Sequence, residues 1–456
     1  MGHRADDQEA DAGTAEYGGG GGDLFVARLD PVTGQLRAAT FFGGTNRDNG
    51  SELTLAADGS VYLLTESASP ARPTTSGALL AGYSDARCAN GHVARLSAGL
   101  DRLIFATYLP GEVNLPPQVH NDGTIYYAGI AGPGFPVTPG AWKKAPIDAS
   151  DAVLARVDAS GSRFLFATYV GSPINDRPES LAVSPDGSAW LGFAEVGTCC
   201  TDLAHRLVRL NATGSDELAF VSIQALALAA APNGDVLVLT GSKVNTTPDA
   251  LMAHPCPASN QAYLRLAPDG TIKFATYLPA SQGSAFSGRG PHGLPLLSLR
   301  QPSELVENQS MGSYLGCLTD AAAYVLGDSI SPGEIVTLFG SQLGPEQGVE
   351  FTLENGRLPT KLGGLRLWMD EQPVPLLYVS ARQINAVVPY TVNFTNPAQP
   401  RFRVEREGQT SAELAMNEMV ASRLTLFTLS GTGTGPAAAI NQDGTVNSTQ
   451  HPAYPG

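Results

Sequence analysis

The sequence has no long apolar run and no excess of positive charge. Its longest apolar stretch, ALALAAAP from Ala225, is far shorter than the roughly 20 residues that cross a bilayer as a helix. The formal net charge is -15, with 28 Lys and Arg against 43 Asp and Glu. Because nucleic-acid binding depends on clustered Lys and Arg that contact phosphates, we expect neither a nucleic-acid partner nor a membrane span.

The sequence also lacks the common catalytic and metal-binding motifs. It contains no CxxC pair, no HExxH and no GxSxG. None of the seven histidines forms a ligand pair, and we interpret His92, His120 and His205 as solvated turn or strand-edge residues. We therefore predict no catalytic residue, no metal site and no cofactor.

Cysteine and secretion signals are equally sparse. We interpret the five cysteines as scattered loop thiols, although one or two disulfides become plausible if the protein is exported. The first residues, MGHRADDQEADAGTAEYGGGGGD, have no apolar core and are not a secretory signal as written. Either the protein stays inside the cell or its true start lies upstream. The cysteines are Cys88, Cys199, Cys200, Cys256 and Cys317.

What the sequence does have is glycine, proline and repetition. Its 51 Gly and 33 Pro are typical of short strands joined by turns. An Ala-Thr-aromatic phrase recurs, and each copy follows an apolar strand and a tight turn, as in VLARVDASGS, which predicts a hairpin. The copies start at Ala39, Ala106, Ala167 and Ala275, with a degenerate one at Leu218.

A second hairpin type alternates with the first. Its turns carry Asp-Gly or Asn-Gly, where glycine supplies a positive φ, at Asp58, Asp122, Asp186 and Asn233. Two hairpins make one four-stranded antiparallel sheet, and tandem sheets of this size predict the blades of a β-propeller. We expect about five blades, with a solenoid of strands as the alternative.

The propeller prediction has a specific consequence for the repeated phrase. It places Thr107, Thr168 and Thr276 at equivalent strand positions in different blades. A third element, seen as PTTSGALL, PVTPGAW and NTTPDALM, lies between the two hairpins, and we expect it to form exposed loops. Whether the N-terminal hairpin closes a ring with strands near Leu294, or both ends of the chain are cut, stays open.

The order of these elements resembles a known repeat. FPVTPGAW, DAVLARVDASGS and FATYVGS resemble the bacterial β-propeller repeat called SBBP, over about residues 18–279. SPGEIVTLFGSQLGP, PVPLLYVSARQINAVVPY and AAAINQDGTVNSTQHPAYPG resemble the Solibacter-type C-terminal domain of acidobacterial exported proteins. The first resemblance implies an architecture rather than an activity. The second implies a protein that is extracellular or attached to the cell surface.

The C-terminal third reads as a second domain. EIVTLFG alternates, so Ile335, Thr337 and Phe339 face opposite to Val336 and Leu338, and several short strands follow. This pattern predicts an immunoglobulin-like β-sandwich. The predicted fold class is therefore all-β: residues 1–17 are a disordered or partial N-terminus, 18–312 a β-propeller, 313–326 a linker and 327–456 a sandwich that is incomplete at its end.

Four acidic residues are the candidate ligand-binding site. Asp48 and Glu52 lie in GGTNRDNGSE, and Asp176 and Glu179 lie in the equivalent loop GSPINDRPES. Glycoside hydrolysis needs two carboxylates across a cleft, which makes these residues the best acidic candidates. The alternative interpretation, a solvated acidic rim, is the favoured one.

Two further sets of residues have a structural and a functional interpretation. Five arginines recur at one strand position and form either an anionic ligand site or, as we favour, blade-to-blade ion pairs or capped turns. Tyr83, Tyr127 and Trp142 either stack on sugars or pack in the core, and core packing is the favoured interpretation. The arginines are Arg28, Arg95, Arg156, Arg209 and Arg265.

These observations predict a non-enzymatic, secreted or surface protein. Its propeller would serve as an interaction scaffold for a carbohydrate or a protein. The alternative is a carbohydrate-active hydrolase or lyase that uses the loop carboxylates.

Overall fold

The structure is a computed structural model of the chain. No helix among the described residues is long and apolar enough to cross a membrane. The structure describes residues 23–44, 48–56, 58–67, 72–82, 90–113, 115–197, 202–250, 252, 255, 261–278, 285–289, 295–298, 313–324, 329–391, 399–411, 413–416, 418–423, 425–429, 435, 437–441, 444–446, 448 and 450.

The chain divides into two compact units. The first contains Met1–Thr240, Arg265–Lys273 and Phe286–Leu296, and the second contains Gly241–Leu264, Phe274–Ala285 and Leu297–Gly456. Every secondary-structure element assigned among the described residues is a β-strand, which confirms the all-β fold class.

The first strands form a hairpin and two full sheets. β1 (Leu24–Leu29) pairs with β2 (Leu36–Phe42). Blade 1 has the order β3-β4-β5-β6, and blade 2 has the order β11-β10-β9-β7, with β8 also paired to β9. The bounds are β3 (Asp48–Leu55), β4 (Val61–Ser67), β5 (Asn90–Leu96), β6 (Leu103–Leu109), β7 (Glu112–Val113), β8 (Gln118–Val119), β9 (Ile125–Ala131), β10 (Asp151–Val157) and β11 (Phe164–Val170).

Two more full sheets and a second hairpin follow. Blade 3 has the order β12-β13-β14-β15, blade 4 has the order β16-β17-β18-β19, and β20 pairs with β21. The bounds are β12 (Asp176–Val183), β13 (Ala189–Val196), β14 (Asp202–Leu210), β15 (Glu217–Val221), β16 (Ala227–Ala230), β17 (Val236–Thr240), β18 (Ala262–Leu266), β19 (Ile272–Tyr277), β20 (Ala285–Arg289) and β21 (Pro295–Ser298).

The turn chemistry of the sequence explains these hairpins. The glycines of the Asp-Gly and Asn-Gly turns have positive φ between 80° and 87°, where a side chain is strained. Four of the hairpins that carry a recurrent arginine have a β-bulge directly after that arginine. The glycines are Gly59, Gly123, Gly187 and Gly234, and the bulges follow Arg28, Arg95, Arg156 and Arg209.

Consecutive sheets share their cores, as the blades of a β-propeller do. One apolar cluster joins Tyr62 and Phe105 of blade 1 to Tyr127 and Val153 of blade 2. A second cluster joins side chains of blade 2 to Leu191 and others in blade 3. Strands that are apolar on both faces are therefore covered on both sides, as the sequence predicts.

The equivalence of the three threonines is confirmed. Thr107 lies in β6, Thr168 in β11 and Thr276 in β19, each the terminal strand of its blade, and all three are buried. Among the described residues, β1-β2 and β20-β21 are separate two-stranded sheets. The closure of a ring by these hairpins stays a prediction.

The third element forms loops that are partly exposed, as expected, but they are docked on the blade by hydrogen bonds. In blade 2, Thr138 N donates to Ala167 O at 3.0 Å, and Ala167 N donates to Thr138 Oγ1 at 3.2 Å. Lys143 N donates to Thr168 Oγ1 at 3.0 Å, so the segment pairs along the free edge of β11. Thr75 and Leu80 in blade 1, and Thr247 and Met252 in blade 4, make the same bonds.

The aromatic residue of the repeated phrase completes this docking. Tyr169 Oη accepts a hydrogen bond from Phe135 N at 3.1 Å and donates one to Gly132 O at 2.7 Å. Trp142 N then donates to Gly214 O of blade 3 at 2.9 Å. The Ala-Thr-Tyr phrase recurs because each of its residues holds the docked segment, and that segment bridges to the next blade.

The C-terminal part contains two sheets around one core. One sheet has the order β22-β24-β29-β28-β25, the other has the order β27-β26-β30-β31 with β32 on β30, and β23 pairs with β33. The bounds are β22 (Tyr314–Asp320), β23 (Ser329–Ile330), β24 (Ile335–Ser341), β25 (Val349–Glu350), β26 (Leu365–Met369), β27 (Gln372–Pro373), β28 (Leu376–Val379), β29 (Gln383–Val387), β30 (Arg401–Arg406), β31 (Gln409–Thr410), β32 (Leu414–Ala415) and β33 (Glu418–Met419).

This core confirms the alternation in EIVTLFG and corrects the linker. Val336 and Leu338 lie in the core with Leu367 and Phe402 of the other sheet. The predicted linker 313–326 contains β22, which pairs with β24 because Leu315 and Leu318 fill the same core. The domain bounds 18–312 and 327–456, and the immunoglobulin-like type of the sandwich, stay predictions.

Candidate functional site

Three of the recurrent arginines, Arg95, Arg156 and Arg209, each hold a turn of their own blade. Arg156 Nη2 donates to Asp122 Oδ2 at 2.6 Å, and Nε donates to Thr124 Oγ1 at 3.0 Å. Asp122 and Thr124 belong to the Asp-Gly turn of the same blade. Arg95 binds Asp58 and Ser60, and Arg209 binds Asp186 and Ser188, through the same atoms.

In Arg28, Arg156 and Arg209, the guanidinium Nη1 reaches the next sheet. Arg156 Nη1 donates to Ala212 O at 3.3 Å, and Arg209 Nη1 donates to Pro268 O at 2.9 Å. Arg28 Nη1 reaches Ala98 O at 2.9 Å in the same way. These contacts confirm the structural interpretation of the arginines as turn caps and blade-to-blade bridges.

The strand register separates the four acidic candidates. Asp48 and Asp176 both open the first strand of a blade. The bulge falls at equivalent positions, at Ser51 in β3 and at Glu179 in β12, so Glu52 corresponds to Ser180 rather than to Glu179. The side chains of Asp48 and Glu52 lie outside the described residues.

Asp176 is buried in the frame of blade 3. It is 2% exposed, its Oδ2 accepts from Ser172 N at 2.6 Å, and its Oδ1 accepts from Ser172 Oγ at 3.0 Å. Burial raises the pKa of Asp176 to about 6, and the carboxylates of Asp151 and Glu195 add to the shift while the bonds from Ser172 oppose it. Asp176 therefore holds a loop and exchanges a proton in mild acid.

Asp176 belongs to a charged cluster between blades 2 and 3. The charged cluster comprises Lys143, Asp151, Asp176, Glu195 and Arg206. Asp151 Oδ2 accepts from the backbone at 2.7 Å, while its buried Oδ1 has no hydrogen-bond partner among the described residues, and burial raises the pKa of Asp151. Burial lowers the pKa of Lys143, which bonds a backbone carbonyl, and Arg206 pairs with Glu195. The three carboxylates thus share two cations.

Glu179 is directed away from this cluster and binds His205. Glu179 Oε2 lies 3.0 Å from His205 Nδ1, and the two side chains are 12% and 23% exposed. A carboxylate oxygen accepts, so Nδ1 donates, and in the tautomer that this bond selects Nε2 carries the lone pair. Within the described residues, neither His205 Nε2 nor Glu179 Oε1 has a partner. This dyad offers two acceptors to a ligand.

Sheet pairing places Arg177 beside the dyad. Arg177 in β12 pairs with Ala194 in β13, and Ala194 pairs with His205 in β14. Directly paired residues project on one face of a sheet, so Arg177 shares the face of His205. Ala194 between them is buried, and its short side chain leaves space for Glu179 to reach His205.

Sequence analysis found Glu179 but missed His205 and Arg177. The signal was the recurrent arginine: four residues before Arg95, Arg156, Arg209 and Arg265 stand Gly91, Ala152, His205 and Gln261. Only one of these four can titrate. This residue, His205, pairs with Glu179, which lies at the bulge of β12. The contact joins β12 to β14, which are not neighbours in the sheet.

The other histidines and the aromatics have framework positions. His92 is buried rather than solvated; its Nε2 lies 2.9 Å from Pro73 O, and burial lowers the pKa of His92 to about 3. His120 Nε2 lies 3.2 Å from Pro185 O. Tyr127 is in the core shared by blades 1 and 2, as predicted. Trp142 is partly buried against the core shared by blades 2 and 3. Tyr83 lies outside the described residues.

One cysteine departs from the predicted scattered thiols. Cys317 is buried in β22 and is disulfide-bonded. The other four cysteines lie outside the described residues. In the part of the chain that the structure describes, no three His, Cys, Asp or Glu are grouped as metal ligands.

Comparisons with known proteins add little to this picture. No family model and no curated protein matches the chain. The Dos1 propeller aligns at 9% identity and TM-score 0.32, over 80% of this chain and 72% of that one. BamB from Moraxella catarrhalis aligns at 11% identity and TM-score 0.26, over 63% and 80%.

The solved structures that align with the chain also include enzymes. A gluconolactonase from Xanthomonas campestris aligns at 12% identity and TM-score 0.29, over 57% of this chain and 72% of that one. The polysaccharide lyase Uly1 aligns at 11% identity and TM-score 0.31, over 54% and 56%. At such TM-scores the likeness carries no argument, so the propeller assignment rests on the sheets and their shared cores.

Proposed function

We propose that the chain is an exported binding protein whose blades form a rigid scaffold and whose blade 3 holds a ligand through Glu179 and His205. One observation supports this most. The polar residues that recur from blade to blade are bonded inside the frame, whereas the dyad occurs once among the described residues and offers two acceptors. A residue that the frame does not require in the other blades is the better candidate for ligand binding.

The disulfide supports export. Disulfides persist in oxidising compartments, such as the cell exterior and the bacterial periplasm, and are rare in the cytosol. Cys317 forms one in β22. The expected location is therefore extracellular or on the cell surface, in agreement with the resemblance of the C-terminal segments to exported proteins.

A second candidate function is a carbohydrate-active enzyme. A carboxylate-oriented histidine with a lone pair on Nε2 is an arrangement that serves as a general base. This is the observation that favours a lyase or a hydrolase, and it assigns the proton transfer to His205 rather than to Asp176, which is bonded to Ser172 on both oxygens.

One experiment separates the two functions and tests the site. Binding and turnover of a panel of polysaccharides and exported proteins are measured for the wild type, Glu179→Gln and His205→Gln, with Glu413→Gln, an exposed ion-pair partner, as the control. We expect binding to weaken at least tenfold in both site variants and to persist in the control, without turnover. Turnover lost in His205→Gln would establish the enzyme, and binding that survives both substitutions would refute the site.

A further inference from the structure

Blade 3 presents a donor and two acceptors on one face, and their chemistry selects a class of ligand. Resting on the binding function proposed above, we infer that the ligand is a neutral, hydroxyl-rich carbohydrate that His205, Glu179 and Arg177 contact together. A sugar hydroxyl both donates and accepts, so adjacent hydroxyls match adjacent acceptors and donors.

The three groups have complementary hydrogen-bonding roles. His205 Nε2 and Glu179 Oε1 accept, because Nδ1 and Oε2 bind each other at 3.0 Å. Arg177 is exposed and supplies a planar set of N–H donors from the same face. Neighbouring strands lie about 4.8 Å apart, so the backbones of Arg177 and His205, two strand spacings apart, are separated by about 10 Å. Both side chains extend into the space between them.

The charge of the chain decides between neutral and acidic sugars. A formal net charge of -15 repels polyanions and slows their association. Glu179 adds a local carboxylate, and the charged cluster on the other face of blade 3 contributes Asp176 and Glu195. A polyuronate would place its carboxylates against these groups, whereas a neutral polysaccharide meets no such cost.

The equivalent rows of blades 1 and 2 lack this set. In blade 1 the row is Asn49–Glu66–Gly91, and in blade 2 it is Glu112–Ile130–Ala152. Neither row combines a guanidinium with an imidazole. Of the three blades whose rows are described, blade 3 alone therefore carries this set, although the frame is repeated.

Ala194 provides the sharpest variant. It is paired with both Arg177 and His205 and is buried. Ala194→Leu is expected to crowd the space between Arg177 and His205 without removing any polar group, and Ala194→Ser is the matched small control. Thermal denaturation of each variant shows whether it is folded, and His205→Gln tests the same site without altering its packing.

The test is affinity electrophoresis of the full chain in gels that contain a neutral β-glucan, polygalacturonate or chitosan. We expect retardation by the glucan, little effect of salt, an affinity loss of at least tenfold in Ala194→Leu and His205→Gln, and a loss below threefold in Ala194→Ser. Binding to polygalacturonate or chitosan that is stronger than binding to the glucan, and that Ala194→Leu and His205→Gln abolish, would overturn the neutral-sugar inference. It would still support the proposed binding site.

Two other outcomes also decide. Glucan binding that Glu179→Gln, His205→Gln and Ala194→Leu leave unchanged would overturn the site itself. No binding of any of the three polysaccharides would overturn the carbohydrate inference, while the protein arm of the panel described above would still report on the scaffold.

Discussion

Arg209 and His205 stand four residues apart on β14, yet the two side chains behave in opposite ways. Arg209 has a structural role: it binds Asp186 and Ser188 of its own blade and the backbone oxygen of Pro268 in the next blade. His205 makes one bond, to Glu179, and no partner of its Nε2 is present among the described residues. Arg209 has counterparts in every blade and His205 has none.

The difference teaches how to read a repeated sequence. A polar residue that every copy keeps is needed by every copy, and the structure shows the bond that needs it. A polar residue present in one copy has no such duty. The predictions below test the two classes separately, from the largest expected effect to the smallest.

The contact between blades is expected to be the least tolerant feature. Gly161 has φ +69°, and a Cβ there would lie 2.5 Å from the Phe105 ring of the previous blade. Gly34 also has φ +69°, with nothing within 4 Å. Gly161→Ala should lower the free energy of unfolding by about 3 kcal/mol or more, and Gly34→Ala by about 1 kcal/mol. Urea denaturation measures both; equal losses would show that backbone strain alone, not packing, sets the cost.

The charged cluster makes stability depend on pH. Burial raises the pKa of Asp176 from 3.8 to about 6, so the folded chain keeps a proton that the unfolded chain releases between these values. The folded state is therefore most favoured below about pH 4, and the contribution of about 2 to 3 kcal/mol disappears as the pH rises through about 6.

Asp176→Asn tests this sign. The amide cannot ionise and keeps one acceptor for Ser172, so the variant should lose the downward slope in stability between about pH 4 and about pH 7. Denaturant midpoints across this range provide the measurement, with Asp269→Asn, an exposed turn residue, as the control. A slope that is the same in Asp176→Asn and the wild type would place the titration on another group.

The docked segment should depend on the hydroxyl of the repeated phrase. Thr168→Val keeps the shape but removes the acceptor of Lys143 N, so it should cost about 2 kcal/mol. Thr352→Val, at an exposed position, should change stability by less than about 0.5 kcal/mol. Thermal denaturation compares the two. Equal midpoints would mean that the bonds of the segment to Ala167 and Tyr169 hold it without the Thr168 hydroxyl.

Periodicity in the sequence was enough to predict the frame. The phrase around Thr168, the Asp-Gly turns and the recurrent arginines repeat because each copy solves the same packing problem, so one pattern predicts strands, turns and stacked sheets. It also predicted correctly that the arginines are structural. The same reasoning assigned β22 to a linker. β22 is a single strand outside the repeats, and its pairing partner lies later in the chain, so no repeated pattern predicts it.

The candidate site was harder, because it depends on register. Glu52 and Glu179 look equivalent in the sequence, but the bulge falls at the same position in both strands, at Ser51 and at Glu179, so Glu52 lies one residue beyond it. The contact between Glu179 and His205 crosses a strand, and no local pattern encodes a contact between β12 and β14. The hydrogen bonds that dock the third element could not be predicted either, because its partner, the edge of β11, is visible only once the sheet is built.

The central claim is that recurrent residues hold the frame and the single dyad binds the ligand. It is tested most directly by measuring stability and glucan affinity in parallel for Thr168→Val and His205→Gln. We expect Thr168→Val to lower the unfolding midpoint and leave the affinity of the folded protein unchanged, and His205→Gln to do the reverse. A His205→Gln protein that is destabilised and still binds with wild-type affinity would contradict the account.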